Sequence, residues 1–230
     1  MKHIIYNVMK NYRKLIYVLF LLPAIAVSAQ CRYCMSFEDF VEGRWEPLDT
    51  VFFDSHSKSH QFWVGGGEVA LTTGDKKTDK ILKNESFAVK VGRKLFVNSH
   101  NLRYKKMKIG NGYYQAMTLG QHGIVFVNRT ILAPKEMMER GAFYAGAIGA
   151  MVISNELFKQ QVCYLISDGA DTKKHINISM IDEKMMNNLL GENAEAIEEY
   201  YSETDPSKRL LAAHILPVLK KLGLLTKVEK

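Results

Sequence analysis

Residues 141–153 read G-A-F-Y-A-G-A-I-G-A-M-V-I, and whether this run crosses a membrane or packs inside the protein decides the fold. Small residues recur four apart, at Gly141, Ala145 and Gly149 and again at Gly146 and Ala150, so a helix here presents a face of nearly bare backbone. Its 13 residues fall short of the roughly 20 that a spanning helix needs, and Lys135, Glu136, Glu139 and Arg140 precede it immediately. The favoured reading is a buried helix, running from 134 to 158 with Pro134 in its first turn, that lies closely against neighbouring strands. Membrane insertion, or assembly with copies of itself, is the rival.

On the N-terminal side the sequence is strand-rich. Short β-branched and aromatic runs at 50–53, 60–64, 68–72, 87–91, 94–98, 113–119 and 124–128 are bounded by glycine or polar turns. Gly92-Arg93 and the segment from Gly120 to Gly123 read as hairpin turns, because glycine supplies the positive φ they require. Continuous apolar stretches at Leu95, Phe96, Val97 and at Ile124, Val125, Phe126 predict strands covered on both faces. Before them, Phe37, Phe40, Val41 and Trp45 recur at helical spacing among Glu38, Asp39 and Glu42, predicting a short amphipathic helix limited by Gly43 and Pro47.

On the C-terminal side, 161–167 and 175–179 read as a β-hairpin, followed by three helices at 182–190, 194–202 and 206–222. Asp205-Pro206 is an N-cap and first-turn pair, and Pro217 should kink the last helix. His214 on that helix's apolar face reads as a packing histidine. The expected fold is therefore α+β: a mostly antiparallel β meander or partly closed barrel over 30–133, packed by the Gly/Ala helix, with the hairpin and three short helices completing a single domain at 230.

Residues 1–29 carry Lys2, Lys10, Arg13 and Lys14 without an acidic residue, then an apolar core, then Val27-Ser28-Ala29. This is the pattern of a cleavable secretory signal, giving a mature chain from Gln30 that is periplasmic, outer-envelope associated or secreted. Lipidation of Cys31 is the weaker alternative, since Gln30 stands where a small residue belongs. Four of the 31 basic residues and none of the 24 acidic ones lie in that segment, which leaves a net charge of only +3 for residues 30–230. So small and scattered an excess is no footprint for nucleic acid.

Cys31 and Cys34 form a C-x-x-C, and Cys163 stands alone. A local Cys31–Cys34 disulfide, or one of the two reaching Cys163, is preferred to redox catalysis, which wants the first thiol at a helix N-terminus. Asp54, His56 and His60, with His100 and His122 farther along, are the candidate metal ligands of a metal-dependent hydrolase, but D-S-H-S-K-S-H reads more simply as a polar hairpin loop. The glycines at 65–67 and the run from Thr72 to Lys76 around Gly74 fit neither phosphate-loop nor dinucleotide spacing and read as turns between strands, and no cofactor is expected. Arg103, Lys105, Lys106 and Lys108 read as a charged edge strand, and the acidic residues from Glu192 to Asp205 as a solvated helix face.

The runs D-S-H-S-K-S-H from Asp54, L-T-T-G-D from Leu71, K-L-F-V-N from Lys94 and G-N-G-Y from Gly110 resemble a family of exported Gram-negative proteins known only as a domain of unknown function. The resemblance covers most of residues 30–230 and implies export and one shared architecture. It brings no activity, cofactor or catalytic residue. The expected role is a non-enzymatic envelope or secreted module that meets a glycan, a peptide, another envelope protein or a membrane surface; the metal-dependent hydrolase and the self-assembling or membrane-associating helix are the alternatives.

Overall fold

The computed structural model describes residues 30–57, 67–129, 161–167 and 175–226. The C-x-x-C stretch opens the fold as strand β1 (Cys31–Cys34), followed by helix α1 (Phe37–Val41), whose N-cap Ser36 accepts from the Asp39 amide. Next come β2 (Glu46–Leu48), β3 (Phe52–Ser55), β4 (Val69–Thr72) and helix α2 (Lys76–Asn84). Then follow β5 (Ala88–Val91), β6 (Lys94–Asn98), β7 (Leu102–Tyr104), β8 (Met107–Lys108), β9 (Tyr113–Leu119) and β10 (Gly123–Arg129). The C-terminal part adds β11 (Gln161–Ile166), β12 (Ile176–Asn177), β13 (Ser179–Met180), α3 (Glu183–Leu190), α4 (Ala194–Tyr201), α5 (Pro206–Arg209), α6 (Ala212–Lys221) and β14 (Leu225–Thr226).

Among the described residues, 11 strands share one sheet along the path β13-β11-β10-β9-β6-β5-β1-β2, with β4 and β14 adding at opposite ends of β9 and β3 pairing with β4. Every pairing in it is antiparallel, and strands from both halves of the chain take part. The class is α+β, as expected, but the sheet is open and not closed into a barrel. Its two ends do not meet: β2 carries Pro47, which has no amide proton to donate, and β13 is only two residues long.

Register aligns the core. Cys34, Ala88, Val97 and Tyr114 lie opposite one another across four strands, and Ala116, Phe126 and Tyr164 continue the same face. Phe126 stacks on Tyr114 at 4.9 Å and on Tyr164 at 5.7 Å between ring centroids. Phe37 of α1 and Leu102, Tyr104 and Ile176 of a small sheet, β12-β7-β8, cover this face. The opposite face holds two clusters. Val125 and Cys163 pack beneath α3, α4 and α6, while Tyr33, Val89, Phe96 and Tyr113 pack with Leu82 of α2.

Four elements depart from the sequence reading. The C-x-x-C, which was given no strand, lies inside the sheet between β2 and β5. Helix α2 replaces an expected turn: Asp75 caps it through the Thr78 amide, and complete burial of Leu82 supplies about 2 kcal/mol that two apolar residues in nine do not advertise. The hairpin partner of β11 is β13, because Ile176 and Asn177 leave to pair in parallel with β7. The single helix expected over 206–222 breaks at Leu210-Leu211, ahead of Pro217, where Leu211 turns extended and bridges Val162 at the sheet. The expected strand at 60–64 and the Gly/Ala helix with Gly141, Ala145, Gly146, Gly149 and Ala150 lie outside the described residues.

Candidate functional site

Described residues of the four runs that carry the family resemblance, far apart in sequence, meet around Gly112 and Tyr113. β3 and β4 pair from Phe52↔Thr72 to Ser55↔Val69, and the His56 amide extends the ladder by donating to the Glu68 carbonyl at 2.8 Å. Nδ1 of His56 lies 2.9 Å from the Gly67 carbonyl, which can only accept, so Nδ1 carries the proton. The Gly67 amide donates to the Asn111 carbonyl at 2.8 Å, and Val69 pairs with Tyr113. From the other side, the amide and hydroxyl of Ser99 both donate to the Gly112 carbonyl, at 2.8 and 2.9 Å.

The G-N-G turn is thus clamped between two segments. Gly112 adopts a φ of +99°, and a Cβ there would meet the Val69 carbonyl at 2.9 Å and the His56 ring at 3.0 Å. Only glycine fits both the conformation and the space. His100 joins from the rim, its Nδ1 at 2.8 Å from Oδ1 of Asn111.

Beneath this turn a buried polar network ties α2 to the sheet. Nδ2 of Asn98 donates to the carbonyls of Leu82 at 2.8 Å and Ser86 at 3.0 Å and reaches that of Lys83 at 3.3 Å, while its Oδ1 accepts from the His100 amide at 3.0 Å. The Tyr113 hydroxyl donates to the same Leu82 carbonyl at 2.6 Å and lies 2.7 Å from the Ser86 hydroxyl. These groups occupy the carbonyls that every helix C-terminus leaves without partners. Burial pushes the Tyr113 phenol well above its ordinary range, against the lowering effect of Ser86, so it serves as a neutral donor.

Between this platform and α2 lies a cleft of about 390 Å³. Ala70, Leu71 and Thr72 of β4 form one side, with Tyr113 and Gly112 below, His56 and Asn111 at one end, and Asp79 and Lys83 of α2 opposite. One oxygen of Asp79 accepts from both the amide and the hydroxyl of Thr73, at 2.5 and 2.9 Å.

The candidate metal ligands come together only in part. Asp54 is exposed on β3, His56 lines the cleft, and His60 lies outside the described residues. Among the described residues no group of three His, Cys, Asp or Glu is placed to hold a metal ion. His214 packs on Tyr200 and donates to its carbonyl at 2.8 Å. Glu195 and Glu199 share Lys221 on an exposed helix face, at 2.7 and 2.8 Å. Arg103, Lys105, Lys106 and Lys108 lie on the β7–β8 hairpin of the small sheet.

The cysteines are placed apart in the structure. Cys31, Cys34 and Cys163 are all buried thiols. Three residues of extended strand separate Cys31 from Cys34 by roughly 10 Å and send them to opposite faces. A disulfide needs Cα atoms within about 7 Å. Burial pushes the Cys34 thiol up to about 12, against the lowering effect of the Ala88 backbone, and the Cys163 thiol likewise to about 12. Iodoacetamide at neutral pH should therefore leave Cys34 and Cys163 unmodified in the native protein and label them after guanidinium unfolding. Rapid native labelling of either, read by peptide mass spectrometry, would contradict their placement.

Sequence reasoning missed Asn98, Ser86, Asp79 and Lys83. Asn98 carried one signal, as a polar residue ending an apolar strand run. Among the described residues, no helix is long and apolar enough to cross a membrane. The model of a family of unknown function, DUF6563, matches residues 32–226. No curated protein and no solved structure matches the chain.

Proposed function

The chain belongs to DUF6563, whose description assigns no activity, and from the geometry we propose an exported, non-enzymatic binding module whose ligand site is the β4–α2 cleft. The observation that carries this reading is that residues of three resemblance runs, His56, Leu71 and Thr72, and Asn111 to Tyr113, line that cleft, while Asn98 of the fourth supports it from beneath. Its volume falls within the roughly 300–1,000 Å³ of small-molecule sites, and its walls are preformed by backbone hydrogen bonds. Apart from Lys83, its titratable side chains are committed to structure: Asp79 to Thr73, Nδ1 of His56 to Gly67, and the Tyr113 hydroxyl to Leu82. That commitment favours binding over acid–base or nucleophilic work. Export rests on the signal pattern of residues 1–29.

A thermal-shift screen of small molecules against residues 30–230 tests the site. Compounds that raise the wild-type midpoint should lose their effect on Ala70→Trp, which fills the cleft, once circular dichroism shows that the variant is folded. Equal shifts in both proteins would move binding elsewhere, and turnover of a bound compound would replace the binding reading with an enzymatic one. For export, the full chain expressed in a Gram-negative host should be recovered outside the cytoplasm with Gln30 at its N-terminus. Cytoplasmic retention with residues 1–29 intact would overturn that part.

A further inference from the structure

Resting on the cleft as the ligand site, we infer that its ligand is a small apolar body bearing an anionic head, a carboxylate or a phosphate, which Lys83 receives. Asp79 and Lys83 stand one helical turn apart on the same wall. At that spacing an aspartate and a lysine ordinarily neutralise each other. Here the carboxylate is turned back toward the start of α2, where Thr73 supplies two donors to one oxygen.

Lys83 also lacks the usual outlet of a lysine in a last helical turn, which is to donate to the terminal carbonyls. The Leu82 carbonyl already accepts from Asn98 at 2.8 Å and from Tyr113 at 2.6 Å, and Asn98 reaches the Lys83 carbonyl at 3.3 Å. Among the described residues no carboxylate lies within ion-pairing distance of the Lys83 ammonium. The anion of the cleft is thus satisfied within the protein, whereas the exposed Lys83 ammonium has no protein partner among the described residues and faces solvent. Electrostatic complementarity then favours a ligand with negative charge at the Lys83 end.

The remainder of the ligand is set by the floor. Ala70, Leu71 and Tyr113 offer apolar surface, and Tyr113 is too deeply buried to present a ring face for a sugar to stack on. At about 30 Å³ for each water-sized group, the volume suits a ligand of roughly a dozen non-hydrogen atoms. A medium-chain carboxylate has that size and polarity.

Isothermal titration of residues 30–230 with octanoate, octyl phosphate, octanol and octylamine tests this. Octanoate or octyl phosphate should bind with one-to-one stoichiometry and roughly 3- to 5-fold more tightly than octanol, the gain expected from one exposed charge pair. The order of the two anions tells a carboxylate from a phosphate head. Lys83→Met, which keeps the stem and the helix propensity, should remove the gain while leaving octanol unchanged, and Lys83→Arg should retain it. Octylamine binding best, octanol matching the anions, or a Lys83→Met variant that still prefers anions would each overturn the inference. If those compounds bind and Ala70→Trp blocks them, the cleft remains the site in all three cases. If none of the four binds, the inference fails, and the cleft itself is then judged by the wider screen.

Discussion

Asn98→Leu should lower stability by about 4 kcal/mol, the largest effect expected of any single substitution around the cleft. Leucine keeps the branching and the number of side-chain heavy atoms of asparagine, so no cavity is left and packing loss is not the cause. Nδ2 of Asn98 is the donor for the Leu82 and Ser86 carbonyls, and Oδ1 is the acceptor for the His100 amide. Asn98 is only 3% exposed, so water cannot replace it. Each buried group left without a partner costs about 1–3 kcal/mol, and the Tyr113 hydroxyl relieves only the Leu82 carbonyl. Urea unfolding monitored by circular dichroism reads the loss. Hydrogen exchange should accelerate first in α2, whose C-terminal carbonyls the asparagine holds. A loss below about 1 kcal/mol, the net worth of one ordinary hydrogen bond, would mean that this network does not anchor the helix.

Gly67→Ala should follow at about 3 kcal/mol, a fall of roughly 6–12 °C in the thermal midpoint of a protein this size. The added methyl would run into the backbone nitrogen, carbon and oxygen of Tyr113. Tyr113 cannot retreat, because it pairs with Val69 on one side and Asn98 on the other while its hydroxyl reaches Leu82. The chain at Gly67 must move instead. That movement breaks the Gly67 amide's bond to Asn111 and the His56 ring's bond to the Gly67 carbonyl, each among the contacts that shape the cleft. Differential scanning calorimetry checks the midpoint. An unchanged value would show that Gly67 does not sit against β9 in solution.

These two positions show how legibility divides. Gly67 was visible in sequence as part of a turn, and its reason for being glycine was not, since that reason is the backbone of Tyr113. Asn98 ended a strand run that was read correctly, yet its three carbonyl partners lie at the end of α2, at Leu82 and Lys83, and just beyond it, at Ser86, and α2 has only Ile81 and Leu82 as apolar residues and no periodicity to announce it. The C-x-x-C suggested covalent or redox chemistry because cysteine spacing is read without regard to backbone conformation. Once β1 is extended, the two thiols diverge. The last helix was read as continuous because its local propensity is continuous, and the break at Leu211 comes from a backbone bridge to Val162.

What the sequence determined by itself was local. The α+β class, the β5–β6 and β9–β10 hairpins, and the helices capped by Asp182, Asn193 and Asp205 all follow from interactions between residues a few positions apart: glycine turns, side-chain caps and apolar runs. What only the tertiary structure decided was the order of the sheet, its failure to close, and the cleft. The cleft depends on strand register and on buried donors meeting carbonyls of distant segments, and no spacing within one segment encodes which distant carbonyl a side chain will reach.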